Sequence, residues 1–169
     1  MRWNSFIFLL ILVVRSSDVS AEKFKEVFGS WASSGSIFVV YEEDGFLQGR
    51  IKVIKDAVYL KDEDPKRAGH IRLDDNNPDV KMKVRPLVGI EMFSDYRFED
   101  GQWQGKIYDP ESGNTYESKM YVAKDGRLKI RGYIGMPMFG RTSKFDPIEV
   151  CSEEIRRMLA MINDSQSCR

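Results

Sequence analysis

The sequence predicts an all-β chain: an antiparallel up-and-down β-barrel of about eight strands, followed by a C-terminal α-helix. Three observations predict it. Between Gly35 and Phe145, short alternating or β-branched runs are separated by turn signals at the spacing of sandwiches and barrels. Three Asp-Gly pairs, at Asp44-Gly45, Asp100-Gly101 and Asp125-Gly126, sit between such runs, where a hairpin turn needs residues that tolerate positive φ. Past Pro147 the apolar period changes from that of a strand to that of a helix.

Taken in order, the first segment reads as a targeting device. Met1-Arg2 supplies a positive start, Phe6 to Val14 is an unbroken apolar run of nine residues, and Ser20-Ala21 offers small residues at a cleavage point. The run is shorter than the about 20 residues a span requires, so residues 1–21 are expected to be a signal peptide; an uncleaved anchor is the alternative. The remainder, residues 22–169, is about the size of one domain, divided into a barrel over 22–146 and a helical tail over 147–169.

The strands then follow one another. Ser36 to Tyr41 and Phe46 to Lys55 flank the first Asp-Gly pair, Ile90 to Phe98 and Gln102 to Tyr108 the second, Tyr116 to Val122 and Arg127 to Tyr133 the third. Leu47, Ile51 and Val53 oppose Arg50 and Lys52, and Leu128, Ile130 and Ile134 oppose Arg127, Lys129 and Arg131, so each strand is expected to have one dry and one wet face. Tyr41, Leu47, Ile51, Ile90, Met92, Trp103, Ile107, Tyr116, Met120, Leu128 and Ile130 are expected to line the interior. Gly49, Gly105 and Gly132 fall inside strands, where they suggest bulges or bends. Residues 61–84 are polar and too long for a passive connection.

Ser152 suits an N-cap, and Ile155, Met158, Leu159 and Ile162 make a helical stripe to cover the barrel's flank or plug a mouth. Cys151 and Cys168 are expected to form a disulfide in an oxidising compartment, the alternatives being an intermolecular bridge or free thiols.

Composition excludes some functions. The chain carries 26 Lys and Arg against 26 Asp and Glu, with no basic stripe of the kind nucleic acid requires. The single histidine, His70, has no nucleophile context around it, and with two tail cysteines it makes no tetrahedral metal set. Asp75, Asn77 and Asp79 alternate like calcium ligands, but Val80 and Pro86 stand where that loop needs Gly and Glu. Glu91, Glu117 and Asp109 have no fixed separation that would make a glycosidase pair. No catalytic residue, metal site or cofactor is therefore expected.

Three segments carry a resemblance. They are Leu73 to Asp79 (LDDNNPD) followed by Arg85 to Gly89 (RPLVG); Trp103 to Tyr116 (WQGKIYDPESGNTY); and Leu128 to Gly135 (LKIRGYIG) leading to Phe139 to Thr142 (FGRT). Their order and spacing resemble the exported bacterial proteins of domain-of-unknown-function family 2147, over roughly Phe28 to Phe145. The resemblance implies a calycin or lipocalin-like barrel with no established activity, in the periplasm or secreted. Gly29-Ser30-Trp31 looks like the opening Gly-x-Trp of such barrels, and Arg141 is the residue expected to cover the Trp31 indole. The sequence departs from the family in having Phe145 where a Trp is expected after the last Gly-Arg-Thr, and in lacking the second-hairpin cysteines.

The function expected is a binding module for a small hydrophobic or amphipathic ligand. Arg85, Trp103, Tyr116, Arg131 and Tyr133 are the candidate contacts, because they lie in the shared motifs and carry donor-rich or aromatic tips. A structural or protein-interaction module of the cell envelope, with a filled interior, is the alternative. Ligand identity and oligomeric state are not legible.

Overall fold

The computed structural model describes residues 23–168. The expected signal peptide, residues 1–21, lies outside them. Eight strands form one antiparallel sheet: β1 (Gly29–Ala32), β2 (Ser36–Glu43), β3 (Phe46–Ile54), β4 (Phe93–Glu99), β5 (Gln102–Asp109), β6 (Asn114–Val122), β7 (Leu128–Tyr133) and β8 (Arg141–Pro147). Their order is β3-β2-β1-β8-β7-β6-β5-β4. The two outer strands meet: the Ile51 amide donates to Ile90 O at 3.1 Å and the Met92 amide to Gly49 O at 2.7 Å. A sheet whose ends bond in this way is a nearly closed barrel, with no long free edge between its first and last members.

Two of the Asp-Gly pairs make two-residue hairpin loops. Asp44 and Gly45, like Asp100 and Gly101, have φ between 52° and 80°, the geometry that matches strand twist. The third, around Asp125-Gly126, sits in a wider turn between Val122 and Leu128.

Alternation puts Trp31, Phe38, Val40, Leu47, Phe93, Tyr96, Trp103, Met120, Leu128 and Ile130 into one interior cluster. The interior is filled largely by rings: Phe38 lies 4.9 Å from Phe145 and Phe93 lies 5.0 Å from Tyr96, centroid to centroid. The strand glycines have a different purpose from the bends anticipated. A Cβ at Gly49 would overlap the Phe93 ring, and one at Gly105 would overlap Tyr96. They are small to admit the rings opposite, while the bulges fall elsewhere, between Ile37 and Phe38 and between Ser94 and Arg97.

Tyr41 corrects the expected interior list. It follows the inward Val40, lies on the outer face, donates to Glu91 Oε1 at 2.8 Å and carries Arg50 over its ring.

The C-terminal helix, α1 (Glu153–Met161), is capped by Ser152, whose side chain accepts from the Ile155 amide. Ile155, Met158 and Leu159 pack with Ala32, Ile37, Val53 and Ile148 in a cluster separate from the interior. The helix thus packs on the flank over β2 and β3. Lys52 to Asp164 at 2.9 Å and the Cys151–Cys168 disulfide pin this tail.

Candidate binding site

An up-and-down barrel has two unlike ends. The β2–β3, β4–β5 and β6–β7 turns share one end with the residues leading into β1. There a helical turn at Lys23–Lys25 presents Phe24, which with Phe28, Phe98 and Trp103 makes an aromatic stopper; Phe24 stands 4.7 Å from Trp103 and 5.5 Å from Phe98. The Trp103 indole donates to Phe24 O at 3.2 Å, and the Trp31 indole to Val27 O at 2.8 Å. A shallow cavity of about 260 Å³ lies beside this stopper, lined in part by Lys23, Glu26, Gln102 and Tyr121.

The other end carries the β3–β4, β5–β6 and β7–β8 connections. Its wall is β7 and β8, where Ile130 opposes Ser143 and Gly132 opposes Arg141. Residues directly opposite share a face, so Arg141 and Ser143 belong to the inner face that holds Ile130 and Ser118. Both are nevertheless exposed. The reason is β1, which is only four residues long and reaches β8 at Asp146 and Pro147 alone, leaving the first part of β8 without a second neighbour among the described residues. Half-buried Tyr116, whose hydroxyl is 3.1 Å from Ser112 Oγ, and Ile107 face the same space from β6 and β5. Below them the buried Tyr96 hydroxyl bonds Ser118 Oγ and closes the floor. Burial raises the Tyr96 phenol well above its ordinary range, keeping the floor uncharged.

The expected contacts separate. Trp103 belongs to the stopper at the closed end. Arg85 is an anchor on the barrel's outer side: with the hydroxyl of Tyr108 (2.6 Å) and the amide of Asn77 (2.7 Å) it satisfies Asp74, a carboxylate with no exposed surface. Burial and Asp74 push the Tyr108 phenol up to about 12. Asn76 extends the lock by donating to Glu111 O at 2.8 Å, so the long β3–β4 connection is strapped to the β5–β6 turn. Asp75, Asn77 and Asp79 are used up in these turns, Asp75 by Arg67 and Tyr59 and Asp79 by its own neighbours' backbone.

Tyr116, Arg131 and Tyr133 lie at the end opposite the stopper, Tyr116 in phase with inward Ser118, and Arg131 and Tyr133 at the β7 positions that alternate with inward Ile130 and Gly132. Arg131 points outward and braces the β7–β8 loop, donating to Pro137 O at 2.7 Å and Met138 O at 3.1 Å. Arg141 is not the lid over Trp31: Trp31 pairs with Pro147, and six steps of extended chain, about 20 Å, separate that position from Arg141. The Trp31 ring is instead buried in the core beside Val27.

Sequence reasoning missed two features. The stopper has a signal, the i, i+4 spacing of Phe24 and Phe28. The inward but exposed Ser143 has none, because it depends on how short β1 is.

Among known proteins, the family described as "Uncharacterized protein conserved in bacteria (DUF2147)" matches residues 29–146. A solved structure of similar shape is protein HP1028 from the human pathogen Helicobacter pylori, described as belonging to the lipocalin family. It is 18% identical, with a TM-score of 0.58, over 85% of this chain and 98% of that one. No curated protein matches the chain by sequence. The described residues include no helix long and apolar enough to cross a membrane.

Proposed function

The chain belongs to the bacterial family DUF2147, and from that premise we propose that it is an exported, lipocalin-like binding protein that takes a small, partly apolar molecule in a shallow cup at the open end of its barrel. The observation that carries this reading is the pair Arg141 and Ser143, polar side chains on the inner face of β8 that solvent reaches. A filled lower barrel limits the guest to a small molecule or to the end of a larger one. Tyr116 and Ile107 offer it apolar contact, and Arg141 offers a fork for a carboxylate or other acceptor. Export is supported by the N-terminal apolar run and by a disulfide of the kind that persists outside the cytosol.

The test is native mass spectrometry of protein purified from its own host, with displacement of a lipophilic fluorescent probe. A co-purifying small molecule, and probe affinity that falls about tenfold in Arg141→Ala, is the expected result. Absence of any bound species together with an unchanged Arg141→Ala affinity contradicts the reading. An envelope interaction module is the second reading, favoured by the exposed apolar loops at the same end.

A further inference from the structure

Two loops at the open end carry apolar side chains that the fold does not use. In the β7–β8 loop, Ile134 is 76% exposed, Met138 71% and Phe139 73%, with Met136 beside them. This loop is braced rather than loose, since Arg131 holds two of its carbonyls and a short 3-10 turn spans Pro137–Phe139. In the β3–β4 connection, Val80 is 75% exposed and Val84 74%, with Met82 between them. Here the residues alternate: Val80-Lys81-Met82-Lys83-Val84-Arg85 sets a cation after each apolar side chain. The Asp74–Arg85 lock and the Asn76 strap hold this segment in place against the same end of the barrel.

Exposed apolar patches of this kind on an ordered scaffold mark an interaction surface. Its chemistry names the partner. Among the described residues Lys81, Lys83 and Arg141 form no ion pair within 4.0 Å, so cations neighbour the protruding Val, Met and Phe tips along both loops. Protruding tips suit a soft, penetrable phase, and unpaired cations beside them suit phosphate-bearing headgroups.

We propose that the open end of the barrel docks on an anionic lipid surface, with Ile134, Met136, Met138, Phe139, Val80 and Val84 entering the boundary between headgroups and acyl chains while Lys81, Lys83 and Arg141 lie against the phosphates. The surface goes beyond the cup reading and stands on different side chains, Arg141 excepted; a cup facing a membrane would take its guest from the bilayer.

The test uses the full chain, expressed with its own N-terminal segment and recovered from the extracytoplasmic fraction, with vesicles of phosphatidylethanolamine and phosphatidylglycerol, and with phosphatidylcholine alone for comparison. Phe139→Trp is expected to give emission that shifts to the blue and is quenched by brominated lipid on adding the anionic vesicles. Sedimentation with those vesicles should fall at least ~tenfold in Lys81→Glu/Lys83→Glu and in Met138→Asp/Phe139→Asp, and should weaken in high salt. Thermal unfolding of the variants checks that the fold is kept. An unmoved Phe139→Trp emission, equal binding to neutral vesicles, or light scattering showing that the loops pair two copies of the chain without lipid would each overturn the proposal. Loss of vesicle binding with probe affinity intact in Lys81→Glu/Lys83→Glu separates this surface from the cup.

Discussion

At the scale of single residues, polar groups decide where the irregular segments go. Asp74 is fully buried, and its oxygens are met by Arg85, Tyr108 and Asn77. Asp74→Ala leaves the partly covered Arg85 cation facing an empty site and is expected to cost about 3 kcal/mol in chemical denaturation, since breaking such a pair costs more than the pair contributes. Gly113 is held at φ 70° with Asn76 O where a Cβ would stand. Gly113→Ala is therefore expected to destabilise by about 2 kcal/mol and to loosen hydrogen exchange around Asn76. Such details were partly legible. The Asp-Asn-Asn-Pro run announces turns that bond their own backbone, but Tyr108 as the partner of Asp74 is 34 positions distant, and no local pattern specifies it. Arg141 shows the converse: a motif suggested a partner, and the strand register ruled it out.

At the scale of elements, patterning reads well where it is local. Two of the three Asp-Gly pairs located tight hairpins because both residues adopt positive φ there, whereas at the third only Gly126 does; the Ser152 cap with its Ile155, Met158 and Leu159 stripe located the helix. What stays illegible is which side of a neighbour an element finds. The flank position of α1 rests on Ala32, Ile37 and Val53, supplied by three different strands. The phase of Tyr41 is not legible, because Val39, Val40 and Tyr41 are all strand formers and give no alternation to read. Removing the tail disulfide in Cys151→Ser/Cys168→Ser opens a short loop and is expected to cost about 3 kcal/mol, with α1 losing amide protection while the β5–β6–β7 amides keep theirs.

At the scale of the whole molecule, acid and alkali probe different groups. Arg67 holds Asp75 below the usual carboxylate range, Leu60's amide and Arg72 do so for Glu63, and Lys52 does so for Asp164. A carboxyl with a lowered folded pKa stabilises at pH values above its unfolded value, and that stability fades as the pH falls through the folded one, so unfolding midpoints should drop below about pH 4. Tyr108 and Tyr96 titrate above their ordinary value near 10. Their sign is opposite: the neutral phenol fits the fold, so stability holds up to about pH 10 and is lost as pH rises toward 12. Phenolate absorbance should show these two tyrosines titrating with unfolding.

A guest held in the cup touches one end of the barrel and not the other. In an amide and side-chain NMR titration with a medium-chain carboxylate such as decanoate, shifts are expected at Tyr116, Gly132, Arg141, Thr142 and Ser143. Phe24, Phe98 and Trp103 at the stoppered end should stay unchanged. Shifts gathered around Trp103, or spread through the packed interior to Leu128 and Leu47, would contradict binding in the cup.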